Sequence, residues 1–136
     1  MAWRNKDEIL IKTSEEIDWI RKSSKLAASI LDFIEPYVLP GVTTIELDNM
    51  MNIYIKQNGG ISACINYHGY PRYTCISVND VVCHGIPSEK QILKDGDIVN
   101  IDVTTIVDGY FGDTSRMYLV GNVSREAKKL VETTKA

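Results

Sequence analysis

The chain has 136 residues, 15 Lys plus Arg against 18 Asp plus Glu, a formal net charge of -3 and 44% hydrophobic residues. That is the size and make-up of one domain around a single core, and it excludes disordered, collagenous and coiled-coil classes. The acidic balance argues against a nucleic-acid binder, and no run approaches the ~20 apolar residues of a membrane-spanning helix.

The charged start, Met1 to Glu8, lacks the apolar stretch of a signal peptide. Cys64, Cys75 and Cys83 form no C-x-x-C pair. They read as reduced thiols of a cytoplasmic protein, not as a disulfide framework or a zinc knuckle.

Thr13-Ser14-Glu15-Glu16 is a capping box that predicts a helix start at Thr13. Ile17, Ile20, Ser24, Ala27, Leu31 and Ile34 then recur at steps of three and four, widened by Leu26, Ile30 and Phe33, and predict the buried face. Pro36 and Pro40-Gly41 end this helix. A second box, Thr43-Thr44-Ile45-Glu46, opens a shorter helix with Leu47, Met50, Met51, Tyr54 and Ile55 inward, closed by Asn58-Gly59-Gly60.

From Ile61 to Ile86, β-branched and aromatic residues come in short runs broken by Gly and Pro, which predicts short strands and loops. Ile98 to Ile106 reads as a clear strand. Asp108-Gly109 is a hairpin signal, and Tyr110 to Val120 returns as the partner strand. Ser124 caps a third helix whose apolar stripe begins at Ala127, Leu130 and Val131 and has no terminator before Ala136. The expectation is a piece cut at the start of that helix. Two helices followed by strands predict an α+β fold, with helices on one face of a mainly antiparallel sheet.

With Asp108-Gly109 as a two-residue loop, Val107 pairs with Tyr110, Asp102 lies opposite Ser115 and Asp113 lies opposite Thr104. Alternation then turns Asp102 and Asp113 to one face as diagonal neighbours, with Asn100, Thr104 and Ser115 beside them. Val99, Ile101, Val103 and Thr105 form the core side, which Arg116 shares. Two carboxylates with ~5 Å between their charges repel by about 3 kcal/mol at an effective dielectric of 20, so a cation belongs between them. A pair of divalent metals fits that geometry; a solvated sheet face is the plainer reading. His68 and His84 sit at Gly- and Pro-flanked turns, as cleft-facing proton donors or as ordinary loop histidines. Cys64, Tyr67, Tyr70 and Cys75 suit an apolar pocket or a core equally well.

Taken together, these stretches resemble type I methionine aminopeptidases. The matching motifs are Tyr37-Val38-Leu39-Pro40-Gly41, Ser62-Ala63-Cys64, Tyr67-His68-Gly69-Tyr70-Pro71, Cys75-Ile76-Ser77-Val78-Asn79, Val82-Cys83-His84-Gly85-Ile86-Pro87, Asp95 to Val103 and Gly112-Asp113-Thr114-Ser115. The resemblance implies the pita-bread fold, two pseudo-symmetric α+β halves around a dinuclear metal site, with residues 1–136 as the first half of one catalytic domain. It implies removal of the initiator methionine from nascent polypeptides with a small second residue, by a metal-bridged hydroxide.

By motif, Asp102 and Asp113 would be metal ligands and His84 would hydrogen-bond the scissile amide. Cys64, Tyr67, Tyr70 and Cys75 would line the methionine pocket, with His68 and His84 beside it. The backbone carbonyls of Asn79 and Val81 would hold a monovalent cation. The two divalent ions would be Co, Mn, Fe or Zn, and the partners nascent N-termini and the ribosome, with the enzyme a cytoplasmic monomer. The remaining metal ligands, one histidine and two glutamates, belong to the family's second half, so the fragment alone is expected to be inactive. A proline dipeptidase or a non-catalytic, protein-binding pita-bread relative are the alternatives.

Overall fold

Thr13 closes a reciprocal cap at the start of the first helix. Its N–H donates to Glu16 Oε2 at 2.7 Å, and the Glu16 N–H donates to Thr13 Oγ1 at 3.2 Å. The computed structural model describes residues 3–4 and 9–136. The charged start is therefore mostly outside the described residues. Trp3–Arg4 (β1) pairs antiparallel with Leu10–Ile11 (β2), a small hairpin that the apolar pattern did not predict.

Helix α1, Ser14–Ile34, buries Ser23, Leu26, Ala27, Ile30, Leu31 and Ile34. This corrects the expected stripe at its N-terminal end: Ser24 and Ile17 are exposed, and the neighbouring Ser23 faces inward. The reason lies in the strand below. Thr105 Oγ1 lies 2.9 Å from the Ser23 carbonyl, and Ser23 Oγ lies 3.1 Å from the Thr105 carbonyl. A small hydrogen-bonding residue, not an apolar one, therefore marks the closest approach of helix and sheet.

A short 3-10 turn, Glu35–Tyr37, leads toward helix α2, Thr44–Gln57, whose cap is the second box: the Thr43 N–H donates to Glu46 Oε2 at 2.8 Å. Leu47, Met51 and Ile55 are buried, and Met50 and Tyr54 pack partly against the same core. Asp48 and Asn52 share this inward side. The helix ends at Asn58.

The sheet is antiparallel throughout. Its central strand β5, Ile98–Val107, pairs along its whole length with β6, Tyr110–Leu119. It also pairs with β3, Ile61–Ser62, at Thr105 and Ile106, and with β4, Cys75–Val78, from Val99 to Asp102. Val99, Ile101, Val103 and Thr105 are fully buried on the side where α1 packs, as their alternation predicts. Gly112 on β6 permits that packing, because a Cβ there would overlap the α1 backbone at Ser23 and Ser24. Helix α3, Arg125–Lys135, starts at the predicted cap: the Ala127 N–H donates to Ser124 Oγ at 3.1 Å. None of its residues is buried.

Candidate active site

The site begins with a two-residue turn. Asp108 and Gly109 both adopt left-handed φ, 51° and 83°, the conformation of the hairpin loop that suits the right-handed twist of its strands. Val107 consequently pairs with Tyr110, Asp102 with Ser115 and Thr104 with Asp113, as expected from the sequence. The two acids sit on the same side of the sheet, away from the core, and both line a cleft of about 730 Å³.

Within that cleft the two carboxyl groups lie within hydrogen-bonding reach of each other. Burial holds the Asp102 carboxyl above the ordinary carboxylate range, and the Asp113 charge pushes the same way, with His84 opposing both. Arg116 does not relieve the pair. It lies opposite Ile101 and reaches Asp32 at 2.8 Å and Glu35 at 3.8 Å. Among the described residues no group of three or more His, Cys, Asp or Glu side chains gathers to hold a metal. Two hard, mutually repelling carboxylates fit part of a divalent cation's shell; the remaining donors would come from outside the described residues.

His84 reaches the cleft from the loop after β4. Its φ is 55°, and the next residue, Gly85, leaves no room for a Cβ against the Ile76 carbonyl. Three hydrogen bonds fix this turn: Gly85 N–H to Ser77 Oγ at 3.0 Å, Ile76 N–H to the Gly85 carbonyl at 2.9 Å, and Tyr70 OH to the same carbonyl at 3.0 Å. The Tyr70 hydroxyl is also 2.8 Å from the Thr74 carbonyl. It therefore ties both walls of the cleft together.

Cys64, Tyr67, His68, Tyr70 and Cys75 all line this cleft, so the structure gathers the whole predicted pocket set with His84, Asp102 and Asp113. Cys64, Cys75 and Cys83 are free thiols. The Cys64 and Cys75 thiols face each other, which draws Cys75 down and, with burial, pushes Cys64 up. Burial raises the Tyr70 hydroxyl, and the Cys75 contact adds to it. The Tyr67 and His68 rings meet edge to face with centroids 4.4 Å apart, and His68 holds a left-handed φ of 47°.

Asn79 and Val81 are not among the cleft residues. Asn79 sits at a left-handed turn, where its side chain donates to Asp97 Oδ1 at 2.9 Å and accepts from the Ile98 N–H at 3.0 Å. Ile86 and Phe111 add apolar wall that the pocket prediction did not include. The largest omission is Asp48. Its fully buried carboxylate accepts from Thr74 Oγ1 at 2.7 Å, the Thr74 N–H at 2.8 Å and Arg72 Nε at 2.9 Å. The available signal was its place on the inward side of α2, between Thr44 and Met51 and beside Leu47.

Residues 18–136 match metallopeptidase family M24. The chain is 54% identical over 127 residues to a methionine aminopeptidase of Escherichia coli, covering 93% of this chain and 48% of that protein. Among solved structures it is similar to a methionine aminopeptidase of Rickettsia prowazekii, with a TM-score of 0.89 and 50% identity, covering 92% of this chain and 50% of that one. It is also similar to an Xaa-Pro dipeptidase from Bacillus anthracis, with a TM-score of 0.75 and 26% identity, covering 88% of this chain and 32% of that one. The chain thus spans about half the length of the methionine aminopeptidases it matches. Its α+β architecture is that of half a pita-bread fold.

Proposed function

The chain belongs to metallopeptidase family M24, and from that premise we propose that it is the first half of an aminopeptidase domain that removes N-terminal methionine from new polypeptides with a small second residue. The observation that carries this reading is the convergence of Asp102, Asp113 and His84 with Cys64, Tyr67, Tyr70 and Cys75 on one cleft. Methionine-named relatives at 54% identity support the substrate, and the Xaa-Pro dipeptidase likeness is weaker at 26%.

Asp102 and Asp113 would hold two divalent cations of Co, Mn, Fe or Zn, with further ligands from a second half. When bound, such a pair polarises a carbonyl and activates water near neutral pH. The chain's own residues do the rest. The thiols and aromatic rings of the cleft wall take a thioether side chain, which sulfur–aromatic contact favours. His84, anchored by the Gly85 turn, hydrogen-bonds the scissile amide and holds a proton beside it. His68 borders the pocket edge. The Asn79 and Val81 carbonyls would hold a monovalent cation outside the cleft, stiffening the turn before His84.

Nascent chain ends are the proposed substrates, met at the ribosome by a monomer in the cytoplasm. No helix among the described residues is long and apolar enough to cross a membrane. The test is hydrolysis by the complete protein of Met-Ala-Ser against an Xaa-Pro dipeptide. Cleavage of the methionyl peptide alone, lost in Asp113→Asn, is the expected result. Preference for the Xaa-Pro substrate would replace this reading with a dipeptidase. Equal, negligible Mn(II) uptake by the parent and Asp113→Asn would replace it with a binding module.

A further inference from the structure

Thr104 stands between the two functional sides of the cleft. It lies directly across the β5–β6 ladder from Asp113, and its hydroxyl donates to Asp113 Oδ1 at 3.1 Å. Counted from the closing pair Val107 and Tyr110, this is a non-hydrogen-bonded position, where facing side chains come closest. Asp113 is itself exposed. Apart from Asp102, Thr104 is the one side chain among the described residues whose hydrogen bond holds the Asp113 carboxylate.

The other side of Thr104 is anchored in the pocket wall. Its carbonyl accepts from the Ala63 N–H at 2.9 Å, and its hydroxyl and N–H face the Cys64 thiol. A β-branched side chain in a strand has few χ1 choices, so with the Thr104 backbone pinned by the Ala63 bond the hydroxyl keeps its aim at Asp113.

We propose that Thr104 is a positioning residue: its hydroxyl fixes the Asp113 carboxylate in the orientation that faces Asp102, and so sets how tightly the second divalent cation is held. This inference rests on the proposed metal-dependent function. An outer residue that orients a ligating carboxylate is commonly worth ~10–100-fold in metal affinity. The methyl group of Thr104 has no part in this, so the hydroxyl alone should matter.

The experiment is titration of Mn(II) into the metal-free complete enzyme, followed by the electron paramagnetic resonance of free Mn(II), for the parent, Thr104→Val, Thr104→Ala and Thr104→Ser. The expected result is two ions bound by the parent. The weaker is loosened by roughly 10-fold or more in Thr104→Val and Thr104→Ala, and restored to within about 3-fold in Thr104→Ser. Two Val- or Ala-variant affinities equal to the parent's would overturn the role of Thr104 and leave the function standing. A Ser variant as weak as Val would also overturn it, by showing that shape and not the hydroxyl is at work. No Mn(II) uptake by the parent would overturn the metal reading and this inference with it.

Discussion

The Asp48 carboxylate and the Thr74 hydroxyl meet at 2.7 Å in the protein interior, joining helix α2 to the residue that precedes Cys75. Arg72 completes the clamp from the other side, 2.7 Å from Asp48 Oδ2. A fully buried charge with this many donors is an anchor for the loop between Tyr70 and Cys75. Asp48→Ala leaves the Thr74 N–H and the guanidinium facing an apolar gap, and should cost about 3 kcal/mol or more. Arg72→Met should cost less, because Arg72 is partly exposed and Asp48 keeps its other donors. Urea unfolding midpoints of the two variants decide the order.

The carboxylate pair makes the metal-free protein sensitive to pH in a direction opposite to most acids. Folding raises the Asp102 carboxyl, so the native chain keeps this proton to higher pH than the unfolded chain does. The associated stability is full at low pH and is lost as pH rises through the carboxylate range. With chelator present, Asp102→Asn should therefore be more stable than the parent at neutral pH. The gain should vanish below the ordinary value of 3.8. Thermal melts of both proteins on either side of that value provide the check.

Gly112 is a steric requirement of the α1–β6 contact. A methyl group there overlaps backbone atoms of Ser23 and Ser24, which cannot rotate aside. Gly112→Ala should lift the helix from the sheet at the Ser23–Thr105 hydrogen bonds and cost about 1–3 kcal/mol. Loss of amide-exchange protection at Thr105, beyond that at Val99, would locate the damage.

His84→Ala in the complete enzyme should lower kcat for a methionyl peptide by roughly 10²–10³-fold. KM should change far less, because the pocket wall stays intact. A rise in KM with kcat unchanged would mean that His84 only helps to hold the substrate.

The backbone plan was legible in the sequence because each of its signals is local. Both capping boxes, the Asp108-Gly109 loop and the alternation from Ile98 to Ile106 lie within a few residues, and each formed as predicted. The placement of Asp102 and Asp113 on one face followed by counting from the turn. Other features had no such trace. Ser23 and Asp48 are inward because of partners far away in the chain, Thr105 and Thr74, and neither partnership leaves a periodic mark. The pocket residues Cys64, Tyr67, Tyr70 and Cys75 sit on loops and a short strand, where spacing says little. Their resemblance to a family, not their pattern, suggested a common wall. Thr104 was visible as a neighbour of the acids, but its bond to Asp113 required side-chain positions.

The tight tip at Asp108-Gly109 also sets a parity rule for length changes in this ribbon. Adding one amino acid to β6 between Tyr110 and Gly112, with the two-residue tip kept, would turn Asp113 toward the hydrophobic layer under α1 and bring Gly112 to the open side. Adding two would keep every side chain on its own side, so insertions within the strand should be tolerated in even steps and rejected in odd ones, unlike insertions that only lengthen the loop.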